Sequence, residues 1–296
     1  MNRVWVDLIR KKKLLRLLAC SLIAFTNLIA NAQTNAPRIV TLSPHLAEIV
    51  AEVGGISQLV GVAAYSNYPP SVKEVPIIGD YQSLNLELLK QLRPDIVLIW
   101  TTGTPANQQT KLHALFKNTS TRIIESDAKT LADIPHEITR IGQIVGHTQE
   151  SIKVSSHFQS ELKKIRQAQS NKTPVSVFFQ AWATPLMTLQ DDHLISDMIK
   201  LCGGVPIFSK EKIRISSVSV EAVIEKNPEI IMTATESQAR GNMKDFDQWK
   251  KYPHLKVNLL NGYLTVNGDW LTRPTSRTLL ATQEICQFFD EIRTKH

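Results

Sequence analysis

Asn85-Leu86-Glu87-Leu88-Leu89-Lys90-Gln91-Leu92-Arg93-Pro94-Asp95-Ile96-Val97-Leu98 and Ser219-Val220-Glu221-Ala222-Val223-Ile224-Glu225-Lys226-Asn227-Pro228-Glu229-Ile230-Ile231-Met232 are two copies of one phrase. Each copy sets a capping residue (Asn85, Ser219) before a helix and puts Glu at the second helical position. Each then halts the helix at a proline, adds an acid and runs into β-branched residues. Glu87 and Glu221 hold the same place 134 positions apart (87 to 221). Two copies at so long a period describe a pair of α/β lobes rather than a solenoid. Paired lobes leave a cleft between them, which is where a ligand would sit.

Working outward, residues 38–42 read as a first strand. Ser43 as N-cap and Pro44 at the first helical position then open a helix through Ile49, Val50 and Val53 that stops at Gly54-Gly55. Residues 59–64 form a second strand, followed by a loop with Tyr65, Tyr68, Pro69 and Pro70. The first copy of the repeat supplies a strand over 95–100, and 122–125 adds another. Residues 149–169 contain neither Gly nor Pro, and Val154, Phe158, Leu162 and Ile165 lie on one helical stripe. With Thr148 as cap, that helix would run about 32 Å and make a stiff linker that limits closure of the cleft. Beyond it, 175–179 is an apolar run suited to a strand buried on both faces. A helix through Leu194, Met198 and Leu201 ends at Gly203-Gly204. A strand at 230–233 comes from the second repeat, short strands are expected at 257–260 and 263–266, and a last helix covers 279–292. Strands alternating with helices call for parallel sheets. The predicted class is α/β, two Rossmann-like lobes joined by a single long interdomain helix: lobes at 36–147 and 171–296, linker at 148–170.

Residues 1–32 read as a cleaved signal peptide. Arg10-Lys11-Lys12-Lys13 and Arg16 are its basic region, 17–30 its apolar region, and Ala30-Asn31-Ala32 its cleavage site, with the cut after Ala32. Cys20 lies too close to Arg16 to leave an apolar stretch before a lipoprotein cut. The leader holds six basic residues against Asp7, a net of +5, so the chain's formal +7 falls to +2 without it. A basic face for nucleic acid therefore loses its support. Two cysteines remain, Cys202 and Cys286. In an exported chain an even pair favours a disulfide over two buried thiols.

Several short motifs occur in a definite order: Thr41-Leu42-Ser43-Pro44, Gly61-Val62 with Tyr65-Ser66-Asn67-Tyr68-Pro69-Pro70, Asn85-Leu86-Glu87 and Pro94-Asp95-Ile96-Val97. Cys202-Gly203-Gly204, Val218-Ser219 with Glu221, and Asp269-Trp270 with Arg273 and Arg277 follow. In that order and spacing, and over nearly all the chain after the leader, the sequence resembles the cobalamin receptors within the iron-siderophore/cobalamin class of periplasmic binding proteins. The resemblance implies a class III-type periplasmic binding protein fold and a Cys202–Cys286 pair. It also implies a monomer in the periplasm that hands cobalamin or a related corrinoid to the dimeric permease of an ABC importer in the inner membrane. In that reading cobalamin is transported ligand rather than cofactor, and the protein is not an enzyme. Tyr65, Trp100, Asp269 and Arg273 match positions at the family's ligand cleft, and Trp270 adjoins them. Tyr81 stands where the family has Trp, Ala181-Trp182 where it has Phe-Gly, and Ile215 where it has another Trp. Glu87 and Glu221 match glutamates that meet arginines on the two permease subunits.

The chemistry suits these residue types. A corrin is broad, mostly flat and fringed with amides, so it calls for aromatic faces and a few polar groups. Tyr65, Tyr81, Trp100, Trp182 and Trp270 offer the faces; Asp269 and Arg273 offer the polar contacts. Four rings hiding about 100 Å² each yield roughly 10 kcal/mol at ~25 cal/mol/Å². That is set against an association cost of about 4–15 kcal/mol. Trp100 ends an apolar strand and suits a core position equally well, whereas the neighbours of Tyr65 and Trp270 favour exposure. An acid in a first helical turn is also favoured by the helix dipole alone, by about 0.3–1 kcal/mol, so the pairing of Glu87 with Glu221 is what singles them out.

No metal site is expected. The histidines (His45, His113, His136, His147, His157, His193, His254, His296) show no ligand spacing. His45, just past the Ser-Pro helix start, either faces the cleft or sits at the surface. Haem or a ferric siderophore is the alternative ligand. An exported α/β enzyme is a further alternative, without a nucleophile elbow, phosphate loop or dinucleotide fingerprint to support it.

Overall fold

In a computed structural model, residues 36–209, 215–235 and 246–295 are described, excepting the side chains of Ile215 and Ser216. The leader, its cut after Ala32 and Cys20 lie outside them. The first lobe runs β1 (Ile39–Thr41), α1 (Pro44–Glu52), β2 (Leu59–Val62), α2 (Leu86–Leu92), β3 (Ile96–Trp100), α3 (Ala106–Phe116), β4 (Arg122–Ser126) and α4 (Asp133–Ile144). Helix α5 (Thr148–Gln169) follows. The second lobe begins with β5 (Val175–Gln180), β6 (Trp182–Ala183), β7 (Leu186–Leu189), α6 (Leu194–Leu201), β8 (Gly204–Pro206) and β9 (Ile215–Ser217). It ends with α7 (Val220–Lys226), β10 (Ile230–Thr235), α8 (Asp247–Lys250), α9 (Lys256–Leu259), β11 (Tyr263–Asn267), α10 (Gly268–Thr272) and α11 (Thr278–Arg293).

Each lobe holds a four-stranded parallel sheet, β2-β1-β3-β4 in the first and β8-β5-β10-β11 in the second. In both, the lobe's second strand lies outside its first and the third and fourth follow on the other side, so the topology is repeated along with the sequence. The second lobe adds a small antiparallel sheet, β6-β7-β9.

The repeated phrase folds alike in both places. Asn85 Oδ1 accepts from the Leu88 amide at 2.9 Å, and Ser219 Oγ accepts from the Ala222 amide at 3.1 Å, each satisfying an orphan donor at a helix start. Both helices end on a left-handed residue, Arg93 at φ 44° and Asn227 at φ 44°. The acid after each proline then fastens the lobe's leading strand. Asp95 Oδ2 accepts from the Arg38 amide at 2.8 Å, and Glu229 Oε2 from the Ser176 amide at 2.6 Å.

The stripe read on α5 is where the sequence puts it. Phe158, Leu162 and Ile165 are buried and Val154 is half-buried, all packed in one apolar cluster that runs from α1 and α4 through α5 to β5, α6 and α11. At 22 residues the helix is about 33 Å long. Cys202, just past α6, is disulfide-bonded to Cys286 in α11, with Cα atoms 4.7 Å apart. Among the described residues no helix is long and apolar enough to cross a membrane.

Two local expectations are corrected. Residues 257–260 are not a strand: 256–259 is the helical turn α9, braced by Asn258 Nδ2, which donates to the carbonyls of Trp249 and Tyr252. A four-residue apolar run has no period to separate strand from helix. Thr148 does not cap α5; it is the helix's first residue and His147 is the N-cap, without a side-chain bond.

Candidate ligand-binding cleft

The strands of each parallel sheet bring their carboxyl ends to the side where the lobes meet, the usual ligand side of parallel α/β sheets. β1 leads to Ser43 and His45, β3 ends on Trp100, β4 leads to Asp127, β5 leads to Ala181, and β11 leads to Asp269. Between the lobes lies a cavity of about 230 Å³. Trp100, Thr102 and Lys129 line it from the first lobe; Phe179, Ala181, His193, Thr272 and Pro274 line it from the second. Among these, Lys129 pairs with Asp127 at 3.1 Å, and Thr102 Oγ1 donates to the same carboxylate at 2.7 Å. His193 is the N-cap of α6, its Nδ1 accepting from the Ile195 amide at 3.2 Å.

A polar lattice joins the lobes beside this cavity. Arg273 Nη1 donates to Asn67 Oδ1 at 2.7 Å, and Nη2 reaches the Tyr65 carbonyl at 3.1 Å and Asp269 Oδ1 at 2.7 Å. Asn67 Nδ2 donates to the other oxygen of Asp269 at 3.1 Å, closing a triangle. Deeper, Glu48 of α1 is 2% exposed. It accepts from Thr275 Oγ1 at 2.6 Å, from Arg277 Nε at 2.6 Å and from Arg277 Nη2. Glu52 accepts from Ser276, and the Arg277 guanidinium lies 4.1 Å above the ring centre of Tyr68. Another interlobe bond runs from the Leu131 amide to Asp197 at 2.9 Å. Burial pulls the Arg273 pKa down from its usual value; burial also opposes the charge of Arg277, but the bonds to Glu48 outweigh it and raise its pKa. Burial pushes the Glu52 carboxyl up.

The predicted site residues therefore divide. Trp100 is both core and cavity wall: it packs on the apolar cluster and lines the cavity. Tyr65, Tyr81 and Trp182 are open to solvent at 71%, 64% and 62%. The first and last belong to segments at the wall, since Tyr65's carbonyl is held by Arg273 and Trp182 follows Ala181. Trp270 is half-buried against the core rather than exposed, because α10 turns its ring inward. Asp269 and Arg273 are engaged across the lobes, and Arg273 is only 8% exposed. His45 is 3% exposed and bonded to Ser43, facing neither the open cleft nor the outer surface. Ile215 pairs with Leu189 through the backbone.

Glu87 and Glu221 are both exposed in the first turn of α2 and α7. Reading the sequence missed Glu48, whose signal was a lone acid inside the apolar run Leu46-Ala47-Glu48-Ile49-Val50. It also missed Lys129 and His193, which carried no pattern, and the role of Asn67, which stood in a quoted motif without being singled out. Among the described residues no cluster of three or more His, Cys, Asp or Glu side chains is arranged to hold a metal ion.

Residues 39–253 match the family described as periplasmic binding protein. The chain belongs to the periplasmic binding protein family. The curated vitamin B12-binding protein of Vibrio cholerae serotype O1 is 31% identical over 275 residues, 93% of this chain and 96% of its own. That of Pectobacterium atrosepticum is 32% identical over 261 residues, 86% and 89%. Among solved structures, the periplasmic vitamin B12 binding protein BtuF of Vibrio cholerae superposes with a TM-score of 0.78 at 32% identity, covering 88% of this chain and 99% of that one. The periplasmic heme-binding protein BhuT, with a TM-score of 0.73 at 18% identity, shares the fold. Membership of this solute-binding family carries a periplasmic location with it, and the two parallel-sheet lobes are those of its class III members.

Proposed function

We propose that this periplasmic binding protein captures cobalamin or a related corrinoid in the interlobe cleft and delivers it to the dimeric permease of an ABC importer. The observation that carries the ligand assignment is its identity, near one residue in three over almost the whole chain, to vitamin B12-binding proteins. The cleft supports it. Trp100 offers an aromatic wall. Tyr65 and Trp182, joined to wall segments by a backbone bond and by sequence respectively, present exposed rings of the kind a flat macrocycle requires. The cavity of about 230 Å³ is smaller than a corrin, so we place the ligand across the mouth, on the exposed rings, with Trp100 beneath. Asp269 and Arg273 then act mainly by holding the Tyr65–Tyr68 loop in place, the lattice supplying the preformed shape that lowers the cost of binding.

In this reading residues 1–32 are removed after Ala32, the mature chain works as a monomer, and no bond of the ligand is made or broken. Haem is the second reading, favoured by one observation, the exposed phenol of Tyr65. His45 and His193 give it no support: the former is buried against Ser43, and the latter uses Nδ1 to cap α6.

Titration of the protein with cyanocobalamin, haemin and a ferric hydroxamate, followed by visible absorbance, decides between them. Saturable one-to-one binding of cyanocobalamin is expected. Saturation by haemin alone overturns the assignment.

A further inference from the structure

Trp100 is held on two sides. A Cβ built on Gly103 would fall 1.8 Å from Cε3 of Trp100, so the indole lies directly on the backbone of the turn that follows β3. That turn is closed by the amides of Gly103 and Thr104, which donate to the Trp100 carbonyl at 3.2 and 2.8 Å. On the other side stands His45, its ring centre 5.3 Å from that of Trp100 with the planes at 89°. This is the edge-to-face arrangement that aromatic pairs prefer.

His45 is fixed in turn. It sits in the first turn of α1, and Ser43 Oγ is hydrogen-bonded to its Nδ1 at 2.6 Å. Ser43 is the N-cap of α1 yet its side chain makes no capping bond to a backbone amide of the helix. A serine cap is worth about 1 kcal/mol, and here the hydroxyl serves the imidazole instead. A local rule broken in this way is expected where a position serves a site.

We propose that His45 is a positioning residue of the cleft, which together with Gly103 locks the Trp100 ring in the orientation against which a flat macrocyclic ligand packs. This rests on the cleft reading above. Burial first, and Arg273 second, hold the imidazole uncharged with a pKa lowered to about 3, so the ring that meets Trp100 is neutral at working pH.

The test is a cycle of variants in the full chain: His45→Leu, Trp100→Ala, their combination, His45→Phe and Gly103→Ala. Cyanocobalamin affinity is measured by calorimetry, and the near-ultraviolet circular dichroism of unliganded protein is read as the difference from Trp100→Ala. Expected is about tenfold weaker binding in His45→Leu, the size of one edge-to-face ring contact. The same change should have little effect in the Trp100→Ala background. The Trp100 signal should weaken, and His45→Phe should restore both affinity and signal. Equal losses in both backgrounds, or a loss of affinity with the Trp100 signal intact, overturn the proposal. Gly103→Ala should reproduce the coupled loss by an independent route and serves if His45→Leu does not fold. If the wild-type protein fails to bind cyanocobalamin, the cleft reading fails; the near-ultraviolet signal then still judges His45, and an unchanged spectrum overturns its role.

Discussion

His45 and Arg273 are both buried and act on each other electrostatically, yet one is neutral and the other charged. Arg273 keeps its proton because Asp269 and Asn67 accept from it; among the described residues no carboxylate is hydrogen-bonded to His45. Its pKa of about 3 in the folded protein against 6.5 for a free imidazole has a definite sign. Below pH 6.5 the unfolded chain takes up a proton that the folded chain refuses, so stability is complete above that pH and falls as pH drops toward 3. The slope is about 1.4 kcal/mol per unit. Denaturant unfolding at pH 7 and pH 5 should thus differ by about 2 kcal/mol, and His45→Leu should remove most of that difference. Glu52 acts in the opposite sense, since its raised pKa withdraws stability as pH climbs above the usual carboxylate range. A persistent slope in the leucine variant would assign the effect elsewhere. Trp100, Asp269 and Arg273 could be singled out in the sequence as cleft candidates, but their partners could not. Asn67 lies 206 positions from Arg273, and no local pattern joins the two.

The helix-to-strand repeat was the most readable feature because its determinants are local: a cap, a stop, an acid and an apolar run. Its consequences reach further than the sequence announced, since Asp95 and Glu229 also fasten neighbouring strands. The antiparallel sheet β6-β7-β9 was not legible, because strands of two to four residues display no alternation. Helices α2 and α7 present Glu87 and Glu221 from equivalent first turns, each facing solvent. Charge pairs at an exposed rim orient a partner more than they add affinity. Reversing both, Glu87→Lys with Glu221→Lys, should abolish cobalamin uptake while leaving ligand binding unchanged. Unimpaired uptake by the double variant would remove these helices from the permease contact. Each reversal also places a cation at a helix start, at a cost of about 0.3–1 kcal/mol, small enough to leave the fold intact.

Among the described residues the two lobes are tied together by the apolar cluster through α5, the Leu131–Asp197 bond, and the lattice around Glu48 and Arg273. The linker helix was visible in the sequence as an uninterrupted amphipathic stripe. The lattice was hidden, because a buried ion pair is made by folding and leaves no spacing to read. Glu48 lies almost without solvent and takes two bonds from Arg277. Removing one partner of such a pair costs about 3–5 kcal/mol when the other charge is left stranded; here the cost is smaller, because Arg273 Nη1 stays 3.9 Å from Glu48 Oε2. Arg277→Met should therefore lower unfolding stability by less than that full amount, and Glu48→Gln combined with it should recover part of the loss. A near-neutral Arg277→Met would mean that the Glu48–Arg277 pair adds nothing to what holds the lobes together. The lattice also constrains how such chains can recombine. A chimaera that draws its halves from two parents inherits a matched acid and base only if position 48 and position 277 descend as complementary partners, so grafting one lobe means transplanting its electrostatic counterpart as well.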